Sequence, residues 1–406
     1  MGSVLDLSDD LWHGRVSIED SHPFSMLREV EELADGVAFV ASFANVSALT
    51  TDAGLVLVDT GSKPLAEHIH RTVRSWTDLP LHTAVFSHGH IDHVFGMAPF
   101  EAEGGSPRVV AHRAMPARFD RYVLTAGYNE VVNQRQFGMP DLRWPREYRY
   151  PDETYDDRLA LTVGDLDLDL THCRGETDDH TYTWVPGRKV LCCGDLFIWA
   201  SPNAGNPQKV QRYPIEWARG LRAMADLGAE LMLPGHGVPL AGADRIRQAL
   251  TESAELLENL HDATVAMMNA GARLDDIVHT VKAPQHLLDR PYLKPVYDEP
   301  EFVVRNVWRL YGGWWDGDPS HLKPAPASSL ATEIADLAGG PGRLADRALE
   351  LMATDLRLAG HLAELASQAA PSDDAIQQVK RQVFAARAAV EASTMAKGVF
   401  GWAARD

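Results

Sequence analysis

Between Phe86 and Gly96 the chain reads FSHGHIDHVFG, which puts His88, His90, Asp92 and His93 within six positions. Histidine is uncommon, and four potential ligands this close together have no packing purpose. In extended backbone, residues two apart point the same way, so His88 and His90 can grip one cation. Asp92 and His93 follow as the chain turns and can face a second. Zinc takes His nitrogen and carboxylate oxygen, and a catalytic zinc keeps a position for water. One segment supplies too few ligands for two ions. The fold must therefore bring further His or carboxylate side chains from distant strands.

The surrounding sequence offers such strands. From Val37, GVAFVASF, VSALTT and AGLVLVDTG are short runs rich in Val and Leu, broken by Gly, Asp and Thr. KPLAEHIHRTVRSW predicts a helix, and HTAVFSHGH predicts a strand ending in the cluster. Such an order implies an α/β layered domain, with its chemistry at strand ends. DRLALTVGDLDLDLTHC alternates apolar and acidic residues and predicts one half-exposed strand. HTYTWV, PGRK and VLCCGD predict a hairpin. A helix over 215–227 and the strand AELMLPGHG follow. Glu176 in HCRGETDDH, Asp195 closing VLCCGD and His236 closing LMLPGHG each stand where a strand passes into a Gly-containing loop. All three can converge on one sheet edge. His180, on the loop of Glu176, is the other candidate for a third ligand to the first ion.

Residues 1–30 read as a polar lead-in, and the insertion 112–155 as a possible cover for the site. Past Asp244 the pattern is helical. Leu344, Ala348, Leu351, Leu358, Leu362 and Leu365 fall at helical spacing, between Gly339-Gly340-Pro341 and Pro371-Ser372-Asp373. HLKPAPASS reads as a linker. The expected division is an α/β domain over 1–243 and a helical region over 244–406.

Composition narrows the partners. The 406 residues carry a net charge of −19, which argues against a nucleic acid or an anionic membrane surface. An anionic substrate needs a local positive centre, which two cations would supply. No apolar run approaches the ~18 residues of a membrane span, and the first twenty residues do not read as a signal peptide. The three cysteines, Cys173, Cys192 and Cys193, form no disulfide framework, so the expected location is the cytoplasm.

SHGHIDH is similar to the His-x-His-x-Asp-His signature of the metallo-β-lactamase superfamily. LVLVDTG upstream, then RGETDDH, CCGD and PGHG, follow that family's order across most of 37–240. The resemblance implies a four-layer αββα sandwich holding two Zn2+ ions. It implies His88, His90 and Glu176 on one metal, Asp92, His93 and His236 on the other, and Asp195 bridging. It also implies a hydrolase using a metal-activated water, with Asp92 and Asp195 in the catalytic set and Asp59 orienting the metal loop. Glutamate at 176, where most of the superfamily has His, resembles the class III alkylsulfatases. NAGARLDDIVHTVKAP, VVRNVWRLYGGWWDGDPSHLKPAP and the helical pairs resemble their helical dimerisation domain, so a homodimer acting on a sulfate ester is implied. Asp195 departs from the Glu usual in those enzymes. No segment resembles their C-terminal sterol-carrier-like domain, so the expected substrate is a smaller anionic ester than a long-chain detergent. Alkylsulfatases hold sulfate with Asn and Arg, for which Asn203, Lys209 and Arg212 are candidates here. Tyr128, Asn129, Asn133 and Arg135 of the insertion are others. Trp308–Trp315 reads as packing or a dimer surface. The alternatives are a lactone, β-lactam, thioester or phosphoester hydrolase, or a member of the fold without activity.

Overall fold

The Val- and Leu-rich runs do form strands, and they sort into two sheets. A computed structural model describes residues 3–405. The first sheet holds β1 (Val30–Ala34), β2 (Val37–Val40), β3 (Val46–Thr51), β4 (Gly54–Val58), β5 (Leu81–Val85), β6 (Arg108–His112) and β7 (Glu153–Tyr155), in that order. Pairing is antiparallel from β1 to β4 and parallel from β4 to β7. The second sheet runs β13-β12-β11-β10-β9-β8. Its strands are β8 (Arg158–Val163), β9 (Leu166–His172), β10 (Thr181–Val185), β11 (Val190–Gly194), β12 (Leu231–Pro234) and β13 (Leu240–Ala241). Only β11 and β12 run parallel within it.

Every residue of β2, β4 and β11 is buried, which explains their continuous apolar runs. In β9, Leu166, Leu168 and Leu170 are buried while Asp167 and Asp169 face water. Side chains tie the sheets together. Arg188, in the turn after β10, donates to Gly36 O (2.7 Å) and Thr50 O (2.6 Å). Asn45 Nδ2 donates to Pro234 O (3.0 Å) and Gly237 O (3.1 Å). The helices Ala66–Trp76 and Met97–Glu101 set Ile69, Val73, Met97 and Phe100 against Val40, Leu57, Ala84 and Val109 of the first sheet. Beside the second sheet, the helix Pro214–Ala225 brings Gly220 against Cys173 and packs on the long helix Ala243–Asn269. The expected αββα layering results, with a helical region after it.

Two local expectations change. The single strand expected over 157–173 is a hairpin: Gly164 takes φ +58° and a two-residue turn pairs Val163 with Leu166. The polar lead-in contains a helix, Val4–Trp12, started by a reciprocal cap in which the Asp6 N–H donates to Ser3 Oγ and the Ser3 N–H donates to Asp6. The described chain forms two compact units. One compact unit comprises the chain up to Ala126, 145–271 and 276–312; the other comprises 127–144, 272–275 and from 313 onward. The helices Ala243–Asn269 and Pro300–Gly312 stay with the first unit because Ala243–Asn269 packs on Pro214–Ala225 and Pro300–Gly312 packs on Ala243–Asn269.

The second unit is a stack of helices, Ala327–Ala338, Pro341–Leu351, Leu356–Ala369, Asp374–Val390 and Thr394–Ala403. Its core is made largely of small residues: Ala335, Ala345, Ala348, Ala359, Ala363 and Ala366 meet Leu344, Ile376 and Val383. Small side chains let helix axes approach closely. Leu351 joins this core, whereas Leu358 is exposed. The expected linker, 321–329, overlaps the end of a short helix, Pro319–Leu322, capped by Asp318, and the start of Ala327–Ala338. Among the described residues, no helix is long and apolar enough to cross a membrane.

Candidate active site

The functional side chains follow strand ends. Asp59 follows β4, His88 follows β5, Asp195 follows β11 and His236 follows β12; Glu176 lies between β9 and β10. These are mostly the carboxyl ends of parallel strands, where open α/β sheets keep their ligand crevices. Possible ligand atoms of His88, His90, Glu176 and Asp195 all lie within 4.8 Å of one another, and those of Asp92, His93 and His236 form a second such group. Asp195 stands between the groups. Its Oδ2 is 3.7 Å from His88 Nε2 and 3.3 Å from His236 Nε2, and its Oδ1 is 3.4 Å from His93 Nε2. Asp92 Oδ2 is 3.5 Å from His236 Nε2, and Glu176 Oε1 is 3.9 Å from His90 Nδ1.

Neighbours aim these side chains. Asp59, held at φ +59°, accepts from the Ser87 N–H and hydroxyl, each at 2.7 Å, and lies 2.7 Å from His93 Nδ1. That contact directs His93 Nε2 toward Asp195. Thr60 donates its N–H and its hydroxyl to His93 O. His236 Nδ1 bonds to Phe43 O. His180 Nε2 accepts the Asp195 N–H at 3.1 Å, so its lone pair is used there. The structure therefore groups Glu176, and not His180, with His88 and His90.

Glycine makes room at three points. A Cβ on Gly89 would lie 2.7 Å from Arg118 Cδ and 3.0 Å from Asp179 Oδ2. Those two residues lock this turn: Arg118 Nε meets Asp179 Oδ1 at 2.9 Å, and the Gly89 N–H donates to Asp179 Oδ2 at 3.0 Å. A Cβ on Gly235 would lie 2.1 Å from Asp195 Oδ1, and one on Gly194 would lie 2.7 Å from His180 Cε1. The floor under Asp195 is thus bare backbone.

Electrostatics separate the groups. Burial holds the His88 and His90 imidazoles well below their ordinary pKa, which leaves them neutral and able to bind a cation. Burial pushes the Asp195 carboxyl up, but the facing His236, His93 and His88 bring it well below the carboxylate range. Burial raises the Glu176 carboxyl to about 8, against the opposing pull of Arg212. Arg212 Nη1 is 2.6 Å from Glu176 Oε1, and Asn203 Nδ2 donates to the same oxygen. Lys209 is half-buried; burial first, and then Arg212, lower its ammonium to about 7.

The fit to a metal can be judged on unpaired atoms. His93 Nε2, Asp195 Oδ1 and Glu176 Oε2 are buried without a hydrogen-bond partner. A buried polar atom left without a hydrogen bond costs about 1–3 kcal/mol. Three such atoms in one place have no structural use, whereas nitrogen and carboxylate donors around two points suit a pair of divalent cations.

Of the other candidates, Asn203, Lys209 and Arg212 share the first unit with these groups. Asn129, Tyr128, Asn133 and Arg135 lie on the helix Ala126–Phe137 and belong to the second unit. Asn129 and Asn133 are buried, and Asn133 Nδ2 donates to Asn129 O at 2.7 Å; Tyr128 is exposed. Sequence reasoning passed over Phe24 and Tyr297. The Phe24 ring centroid is 4.1 Å from that of His236 and 4.2 Å from that of Tyr297, so the N-terminal segment lines this site. Nothing in PFS or VYD signals such a role.

Comparison with known proteins agrees with the geometry. Residues 40–236 match the family model of the metallo-beta-lactamase superfamily, and residues 273–406 match that of alkyl sulfatase dimerisation. The chain is 27% identical over 317 residues to a linear primary-alkylsulfatase of Pseudomonas sp., covering 71% of this chain and 59% of that protein. It is 25% identical over 336 residues to an (R)-specific secondary-alkylsulfatase of Pseudomonas sp., covering 73% and 50%. Among solved structures, the stereoselective inverting sec-alkylsulfatase Pisa1 from Pseudomonas sp. superposes with a TM-score of 0.84 at 20% identity, covering 93% of this chain and 65% of that one. The chain spans between half and three-fifths of the length of these two relatives. The matches place a metallo-beta-lactamase domain first in the chain and an alkylsulfatase dimerisation domain after it.

Proposed function

We propose that this chain is a two-zinc hydrolase of sulfate esters of small organic alcohols, working as a homodimer. The observation that carries the reading is the pair of ligand groups sharing Asp195, with Arg212 and Asn203 meeting at Glu176 beside them. In this reading His88, His90 and Glu176 hold one zinc, Asp92, His93 and His236 hold the other, and Asp195 bridges. When bound, zinc supplies Lewis acidity toward an ester oxygen and makes water acidic enough to react near neutral pH.

The chain's own residues do the rest. Arg212 and Lys209 bring positive charge to a protein of net charge −19, which otherwise repels an anion. Arg212 Nε is buried and unbonded, a donor left over for a sulfate oxygen. Asn203 is held by Glu176, so a ligand carboxylate and an anion-binding amide move together. Phe24 and Tyr297 offer apolar surface to the organic part of the ester. The alkylsulfatase relatives support a sulfate ester as the substrate.

The test is a panel of chromogenic sulfate, phosphate, carboxylate and lactam substrates on metal-replete protein, with metal counted by mass spectrometry. Sulfate release with about two zinc ions per chain is expected. Turnover of another class without sulfate release would overturn the reading.

A further inference from the structure

The loop that carries Asn203, Lys209 and Arg212 has no strand or helix between β11 and the helix Pro214–Ala225. Its backbone groups therefore need outside partners. They come from residues 294–309, inside the segment that matches the dimerisation family. The Ser201 N–H donates to Lys294 O at 3.0 Å. Asp298 Oδ2 accepts from the Gly205 N–H and from the Asn206 N–H, the latter at 3.2 Å. Asn306 Nδ2 donates to Arg212 O at 3.0 Å, and its Oδ1 accepts from Gln211 Nε2 at 3.0 Å. Arg309 donates to Lys209 O, Gln211 Oε1 and Asn306 Oδ1. The loop is also pressed onto this segment: a Cβ on Gly205 would lie 2.4 Å from the backbone carbon of Phe302 and 2.5 Å from Val303 N.

Asp298 is fully buried, and Asn306 nearly so. A buried carboxylate is costly unless it is bonded, and this one takes N–H donors from Gly205, Asn206 and Glu299. We propose that Asp298 and Asn306 are positioning residues of the anion pocket, fixing loop 199–213 so that Arg212 and Asn203 meet the substrate's oxyanion in register. The start of the helical region then serves the site directly. The identity of the anion rests on the proposed function; the clamp itself rests on the contacts above. Misplacing a bonding group by about 1 Å forfeits most of a directional interaction.

The experiment uses the full, metal-replete chain with Asn306→Ala, Asn306→Asp and Asp298→Asn. Inorganic sulfate is the inhibitor probe, and hydrogen exchange reads the loop. Asn306→Ala should raise both KM for an aryl sulfate and the inhibition constant of sulfate about tenfold, with kcat within about threefold of wild type. Metal per chain should not change, and exchange should quicken over 199–213 but not over 86–96. Asn306→Asp keeps the acceptor and loses the donor to Arg212 O, so it should fall between. If Asp298→Asn does not fold, the two Asn306 variants carry the test. Unchanged sulfate inhibition and exchange in Asn306→Ala, or a loss that tracks metal content, would overturn the proposal. A wild type that neither cleaves sulfate esters nor is inhibited by sulfate would instead sink the proposed function. The exchange comparison then decides the clamp alone: quickening confined to 199–213 keeps it, and no change rejects it.

Discussion

Asp59 is buried behind the ligand groups and fixes two residues of the ligand segment, Ser87 through backbone and hydroxyl and His93 through its ring. A carboxylate behind a ligating imidazole sets its tautomer and raises its basicity. Asp59→Asn keeps the shape and removes the charge. Metal affinity should fall roughly 10–100-fold, read by competition with a chromogenic chelator, while thermal stability of the metal-free protein changes little. Equal affinity would show that Asp59 only supports the turn. At this scale the sequence was readable where chemistry crowds. His88, His90, Asp92 and His93 share six positions, and Glu176, Asp195 and His236 each close a strand beside glycine. Arg118, Tyr297, Asp298 and Asn306 were not readable. Their importance lies in what they touch, and such contacts span 94 positions between Asn306 and Arg212 and 273 between Tyr297 and Phe24.

Elements add a pH response away from the metal groups. His112 ends β6 and His172 ends β9, and their rings stack at 3.7 Å, nearly parallel. Burial, then the neighbouring His172, lowers the His112 imidazole to about 4; burial also lowers His172. Asp179 and Asp156 pull His112 the other way, and Arg113 adds to the lowering. The folded state thus refuses a proton that the unfolded chain accepts near pH 6.5. Stability from this pair is intact above about pH 6.5 and declines as pH falls toward 4. Urea midpoints between pH 7 and pH 4 should fall more steeply for wild type than for His112→Asn, which keeps an acceptor for the Ala114 N–H. Parallel slopes would reject the pair as the source. The same region shows why one strand was expected over 157–173. Period-two alternation runs on both sides of Gly164-Asp165, and only a one-residue shift of phase, from Leu159, Leu161 and Val163 to Leu166, Leu168 and Leu170, reports the reversal.

At the scale of the molecule, helical periodicity told where helices lie but not which core receives them. Leu257 and Val303, on helices past 243, are buried within the sandwich unit, because an amphipathic stripe does not name its partner. In the second unit, Leu330, Leu337 and Val390 stand exposed, as an unburied association face would. Light scattering at micromolar concentration should give about 89 kDa, twice the 44.7 kDa chain, and a mass near 45 kDa would reject the dimer. The bare floor beneath Asp195 bears on how such a protein can change. Gly194 and Gly235 leave no volume for any side chain, so no mutation can reshape the centre from below without losing it. Laboratory selection for a new ester should therefore enrich substitutions around the mouth, at Phe24, Phe43, Lys209 and Tyr297, and return positions 194 and 235 untouched.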